Sequence, residues 1–268
     1  MSVAFQLSII NSAANSKGLA EKSSIKASTG QEINSAKDDA AGLAASLALK
    51  SSARALGAAL SNANRGVALG QIVDGALGEI GNMLLRMKEL SVQANSDTFS
   101  DNDRAAADKE FQALIASIDN VAARTRYSGN VLLDGTMTTD LAVQTGEKST
   151  DMTTFTPVDA RSATLFGASL DITTMANAVT AQDAIDTAIT ALSASRSEIG
   201  AFMNGLESMI AVGQVAIEKF EAAIGVFTEA DLGKEATNYA ASDVQVQLAQ
   251  SMLAKLNQAL SNVMTLFR

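Results

Sequence analysis

From residue 185 to residue 224, apolar side chains recur at alternating steps of four and three. They are Ile185, Ile189, Leu192, Ile199, Met203, Leu206, Ile210, Ile217, Phe220 and Ile224, interrupted only by Arg196 and Gly213. That spacing is the heptad seam of a helix lying along another helix. A helix over 181–224 would run about 65 Å at 1.5 Å per residue. It cannot bury such a stripe alone, so the fold must supply partners of similar reach. The sequence predicts two. Leu69, Val73, Ala76, Ile80, Met83, Met87, Leu90 and Ala94 follow the same steps, as do Ala107, Phe111, Leu114, Ile118, Val121 and Thr125. A single proline in 268 residues agrees, because proline breaks helices.

A fourth seam runs to the carboxyl end through Val246, Ala249, Leu253, Leu256, Leu260, Val263 and Phe267. Its opposite face is almost uncharged: between residues 244 and 267 only Lys255 carries a charge. Chain ends fray unless tied down, and an apolar seam backed by Gln, Ser and Asn would be poorly soluble alone. The segment reads as a surface to be covered by other copies of the chain. Val246, Leu253, Leu256, Leu260, Val263 and Phe267 are therefore the candidate polymerisation interface. The amino end, with Val3, Phe5, Leu7, Ile9 and Ile10, is a weaker version.

Between 127 and 180 the helical period fails. Leu141–Gln144 followed by Thr145-Gly146-Glu147 reads as a strand entering a turn. The Thr-rich run from Asp151 to Val158, with Pro157 near its end, reads as a second strand at an edge. The expected fold is mainly α: an elongated antiparallel helical bundle or coiled coil with a small β-hairpin.

The same residues narrow the chemistry. With no His and no Cys, the usual general base, thiolate nucleophiles and the commonest metal ligands are missing. Asp38 and Asp39 are neighbours, but adjacent residues of a helix point about 100° apart. A solvated helix start explains them better than acid–base work. Met83 and Met87 read as core. Glycines 66, 70, 75, 78 and 81 form no phosphate loop and suggest close helix packing, each against a propensity cost of about 1 kcal/mol. No catalytic residue, metal site or cofactor is expected. A net charge of −9 argues against nucleic acid, and no run of eighteen apolar residues predicts membrane insertion. Val3–Ile10 lacks a basic segment ahead of it, so an exported chain would leave without a cleaved signal peptide. Thr136, Thr138, Thr139, Thr145, Ser149, Thr150, Thr153, Thr154 and Thr156 could carry O-linked sugars, although threonine also simply suits strands.

One stretch has no chemical explanation: Ser28-Thr29-Gly30-Gln31-Glu32-Ile33-Asn34-Ser35-Ala36-Lys37-Asp38-Asp39-Ala40-Ala41-Gly42-Leu43-Ala44. It resembles the signature near the amino end of bacterial flagellins. The resemblance continues through Asn62–Gln71, Glu79–Asn95, Thr125–Gly135, Arg196–Leu206, Phe227–Leu232 and Ser251–Arg268, and so covers roughly 28–135 and 185–268. Met1–Ser16 departs from the family's usual opening, and the centre lacks the large outer domains that many flagellins carry.

The resemblance implies a subunit that polymerises into the flagellar filament for motility, outside the cell. Residues 1–40 and 228–268 would be terminal helices in an inner core. Residues 41–135 and 181–227 would form a helical bundle, and 136–180 a short surface-exposed hairpin and loop region. Implied partners are further copies of the chain, an export chaperone on the carboxyl helix, and junction and cap proteins. Arg86, Leu90 and Glu110 stand where many flagellins present a patch to a vertebrate Toll-like receptor. The plainer reading of that patch is a seam residue, Leu90, flanked by solvated charges. Two other identities fit less of the sequence: a flagellin-like hook–filament junction protein, and a secreted coiled-coil binding module.

Overall fold

The structure is a computed structural model that describes the backbone of residues 3–137 and 139–266, and the side chains of 4–137, 139–259, 261 and 262. The expectations for Thr138, Leu260, Val263 and Phe267 lie outside the described residues. The element order is α1 (Val3–Thr29), α2 (Ala40–Ala94), α3 (Asp101–Arg124), β1 (Arg126–Tyr127), β2 (Asn130–Val131), β3 (Leu141–Gln144), β4 (Met152–Phe155), α4 (Ser162–Phe166), α5 (Met175–Thr228) and α6 (Leu232–Leu266). The chain divides into two compact units, residues 54–217 and residues 1–53 with 218–268.

The first unit is built on three antiparallel helical segments. Arg196 of α5 grips Asp74 of α2 through Nε at 2.7 Å and Nη2 at 3.2 Å. Further along, Lys88 pairs with Asp186, and Gln182 donates to the Ser91 carbonyl. α3 begins at a capping box, with Ser100 and Asp103 accepting each other's backbone N–H. Its Arg104 donates back to the Ala94 and Ser96 carbonyls at 3.0 and 3.1 Å. The Ala94 carbonyl is orphaned by the end of α2, where a cation is also favoured by the helix dipole, while the Ser96 carbonyl accepts from the Phe99 N–H as well.

The α5 seam holds its predicted face. Ile185, Leu192, Ile199, Leu206 and Gly213 are buried, and Ile189, Met203, Ile210 and Ile217 half-buried. The interrupting Arg196 is at the rim, paired with Asp74. On α2 the buried stripe is wider than predicted. Val73, Ile80, Met87 and Ala94 are buried as expected, but Leu77 and Leu84 are wholly buried while Ala76 and Met83 are half-buried. The reason is geometric: α2 has neighbours on two sides, and two rows of a heptad cannot face both.

Small residues set how closely α2 and α5 approach. A Cβ at Gly66 would lie 2.7 Å from Leu206, one at Gly70 2.6 Å from Met203, and one at Gly213 2.6 Å from Leu60. Close packing also accounts for Gly81, beside Leu192 at 3.3 Å. It does not account for Gly75 and Gly78, which face open space.

β3 and β4 pair antiparallel, Leu141 opposite Phe155 and Gln144 opposite Met152. Asp151 shapes their turn, accepting from the Lys148 N–H at 3.1 Å. Phe155 is buried edge-to-face on Phe202 of α5, with ring centroids 5.5 Å apart. A second hairpin, β1–β2, escaped the sequence reading. Its turn uses Ser128 at φ 49° and Gly129 at φ 90°, and Ser-Gly between short β-prone residues was the signal for it.

The segment 136–180 belongs to this unit and is not merely a surface loop, because Phe155, Ala160, Leu170 and Ile172 lie in its core. The unit boundaries also depart from the expected 41 and 228. α2 and α5 run without a break through residues 53 and 218, since nothing in their Ala-rich sequence ends a helix there.

The second unit pairs α1 antiparallel with α6. Gly30 bonds with Ala230 through backbone, and Ser16 Oγ donates to Gln245 Oε1 at 2.9 Å farther along.

Candidate assembly surface

The unexplained stretch 28–44 is a folded clasp in the second unit. Gly30, at φ +68°, ends α1 in the left-handed conformation that favours glycine. The Glu32 N–H then bonds the Thr228 carbonyl and the Ala230 N–H bonds the Gly30 carbonyl, both across to the α5–α6 junction. Ile33 is the buried anchor. Asp38 accepts from the Ser35 hydroxyl at 2.9 Å and from the Ser35 and Asn34 N–H groups, and those bonds, led by the hydroxyl, hold its carboxyl below the usual range. Asp39 caps α2, accepting from the Ala41 and Gly42 N–H groups at 3.0 Å each. Gly42 leaves room for that carboxylate, because a Cβ there would sit 2.5 Å from it and 2.7 Å from Ile33 Cδ1. The two adjacent carboxylates thus hold backbone and do not converge on a substrate.

The α1–α6 pair is turned inside out. Along α1 the stripe facing inward is Ile9, Ala13, Ser16, Ala20 and Ser23, mostly small or polar. Phe5, Leu7, Ile10, Leu19 and Ile25 are each about half exposed. On α6, Ala249 is buried and Val246, Leu253 and Leu256 are half-buried at the seam. Val244, Leu248 and Met252, on another flank of the helix, are more than half exposed. The candidate polymerisation residues that the structure describes therefore share one face, as their spacing requires, and it is the partly covered one. The open flank was missed, although its four-residue spacing, Val244-Leu248-Met252, was readable.

Arg86, Leu90 and Glu110 are brought together on α2 and α3 in the first unit. Arg86 donates through Nε to Glu110 at 2.8 Å and through Nη1 to Glu89 at 2.9 Å, and both acids raise its pKa, Glu110 most. Leu90 is only 3% exposed. An apolar groove of about 580 Å³ lies between the β3–β4 turn and α5, with Asp151 its sole ionisable lining residue among those described. No group of three or more His, Cys, Asp or Glu able to hold a metal ion occurs among the described residues. No described helix is long and apolar enough to cross a membrane.

One chain thus holds a packed helical unit and a helix pair that displays its bulky side chains outward, the form expected of a polymer subunit. The sequence matches the bacterial flagellin N-terminal helical region over residues 2–138 and the bacterial flagellin C-terminal helical region over 182–267. It is 37% identical to a flagellin of Halalkalibacterium halodurans over 92% of each chain. It is 31% identical to a Bacillus subtilis flagellin, covering 98% of this chain and 97% of that one. It is also 31% identical to the flagellar filament 33 kDa core protein of Treponema phagedenis over 92% of each. Among solved structures it resembles Bacillus cereus flagellin (TM-score 0.52, 32% identity, 57% of this chain and 88% of that one). A Vibrio parahaemolyticus structure described as a putative flagellar hook-associated protein shares the fold (TM-score 0.60, 15% identity, 71% and 99%).

The chain belongs to the bacterial flagellin family, in a short form without large outer domains. It is a structural subunit of the extracellular flagellar filament, the polymer that serves motility.

Proposed function

We propose that this flagellin polymerises through α1 and α6, using the seam residues Val246, Leu253, Leu256, Leu260, Val263 and Phe267 together with the open flanks of both helices. The observation that carries the reading is the inside-out pair. Burying a Leu, Ile, Val, Phe or Met side chain is worth about 1.5–3 kcal/mol, and Leu7, Ile10, Val244, Leu248 and Met252 are left largely uncovered in a single chain. Neighbouring copies supply that cover in a filament.

The wider partner set follows from the same reading. An export chaperone shields α6 before secretion, the chain leaves the cell without a cleaved signal peptide, and junction and cap proteins meet it at the filament ends. The protein acts by assembly and not by catalysis. A Toll-like receptor contact at Arg86, Leu90 and Glu110 has to open two ion pairs and reach a buried leucine, so it is the weakest of these contacts.

Purified chain mixed with short filament seeds tests the proposal by electron microscopy. Wild-type protein elongates the seeds. Leu256→Asp places an unpaired charge in the seam, abolishes elongation and leaves the 54–217 unit helical. Normal filaments from Leu256→Asp would refute the assignment of that face. Incorporation of wild-type chain only as a short collar would favour a junction protein.

A further inference from the structure

The α5–α6 junction carries a ridge with unlike flanks. Val226, at the tip of α5, is 84% exposed, and Phe227 and Leu232 beside it are also exposed. One flank is a cleft of about 270 Å³ lined by Lys22, Lys26, Glu32, Lys37 and Phe227, with the clasp residues Asp38 and Asp39. Its three acids equal its three lysines in number and keep their charge, but each is engaged within the chain, Asp38 also in the field of Lys22. Glu32 pairs with Lys26, while Asp38 and Asp39 hold backbone N–H groups. Lys22 and Lys37 enter no ion pair among the described residues. The other flank is a cleft of about 430 Å³ around Val226, Gly225 and Ala230, whose ionisable residues are Glu221, Glu229 and Asp231. Asp231 caps α6 at the Lys234 N–H, and neither glutamate enters an ion pair among the described residues. No described basic residue lines that cleft.

An exposed apolar ridge between a lysine-bearing cleft and an acidic one is complementary to a second copy of itself, used head to tail. Such a heterologous contact does not close on itself and propagates into a helical polymer. The backbone on both sides is already fixed by the clasp, so little ordering is lost on docking. We infer that Lys22 and Lys37 of one copy meet Glu221 and Glu229 of the next, with Val226 and Phe227 covered between them. This contact rests on the filament reading and adds to it a polarity and a named pair of flanks. It also gives the signature 28–44 a purpose: the clasp presents Lys37 and supports the ridge.

Charge reversal tests it on the full chain. Lys22→Glu with Lys37→Glu puts like charges across the contact, as does Glu221→Lys with Glu229→Lys. Each pair slows seed elongation, followed by light scattering and electron microscopy, by about tenfold or more. The chain carrying all four reversals regains elongation within about threefold of wild type, because both flanks have exchanged sign. Circular dichroism of the free subunits is unchanged, and Lys37→Gln with Glu229→Gln gives an intermediate rate. Unchanged elongation in both reversed pairs overturns the contact. Loss that the fourfold variant does not restore overturns the pairing. Failure of wild-type chain to elongate any seed instead removes the filament reading, and the contact with it.

Discussion

The two compact units use similar helices in opposite ways. In residues 54–217 the bulky residues go inward: Leu77, Ile80, Leu84, Met87, Phe111 and Ile118 are wholly buried, and small residues let α2 and α5 close on one another. In residues 1–53 with 218–268 the small and polar residues go inward and the bulky ones outward. Charge divides the same way. The first unit holds 19 acidic and 11 basic side chains, and the second 10 and 9. A strongly acidic, well-packed unit is suited to stand in water. A nearly neutral pair with apolar flanks is suited to be covered. Intramolecular packing completes one unit and leaves the other with uncovered apolar flanks.

Core truncation should separate them most widely. Phe111→Ala empties a wholly buried site in the first unit and should cost about 3–5 kcal/mol, read as a fall in the melting temperature of soluble subunits. Leu248→Ala in the second unit should shift that temperature by less than about 0.5 kcal/mol equivalent yet impair seed elongation. A large melting shift from Leu248→Ala would erase the contrast.

Filling a glycine hole comes next. Gly70→Val drives a side chain into Met203 and should cost about 1–3 kcal/mol, whereas Gly78→Ala, in open space, should stabilise the helix by up to about 1 kcal/mol. Denaturant midpoints of the two variants give the comparison, and equal midpoints would mean that α2 and α5 do not meet as described.

A smaller effect is expected from acid. Asp159 is held down to about 2, chiefly by Arg161 with help from the Thr164 hydroxyl, against the desolvation that opposes ionisation. Its folded-state pKa is depressed, so its contribution is present above about pH 4 and is lost as pH falls toward 2. That contribution is about 1–2 kcal/mol. Asp159→Asn should lower first-unit stability at pH 7 by this amount and flatten the acid dependence between pH 4 and 2. An unaltered pH profile would remove Asp159 from the account.

Smallest is Arg86→Ala. Its ion pairs with Glu89 and Glu110 are largely exposed and screened by solvent, so their loss should leave the melting temperature nearly unchanged. Applied to cells expressing the Toll-like receptor, wild-type subunit should signal weakly because Leu90 is buried. A strong signal that Arg86→Ala abolishes would establish the receptor patch after all.

The α5 seam could be read from the sequence because one helix packed along another repeats every seven residues, and Arg196 at the rim was the exception its pairing with Asp74 explains. The family was legible in residues 28–44 because much of their turn chemistry is local: Gly30 closes α1 on the Lys26 carbonyl, and Asp38 and Asp39 accept from N–H groups within four residues. The described residues of the carboxyl seam, Val246, Ala249, Leu253 and Leu256, also share a face, as an amphipathic period must place them.

Tertiary structure decided the rest. Which rows of α2 are buried depends on its having neighbours on two sides, and that shifted weight from Ala76 and Met83 to Leu77 and Leu84. That Leu90 is buried while Leu85 is exposed follows from the same rotation. No local pattern says whether a bulky stripe such as Phe5, Leu7 and Ile10 turns toward its own chain or away from it. The sequence sets how much apolar surface each helix carries; the fold sets which part is covered within one chain and which part is left open.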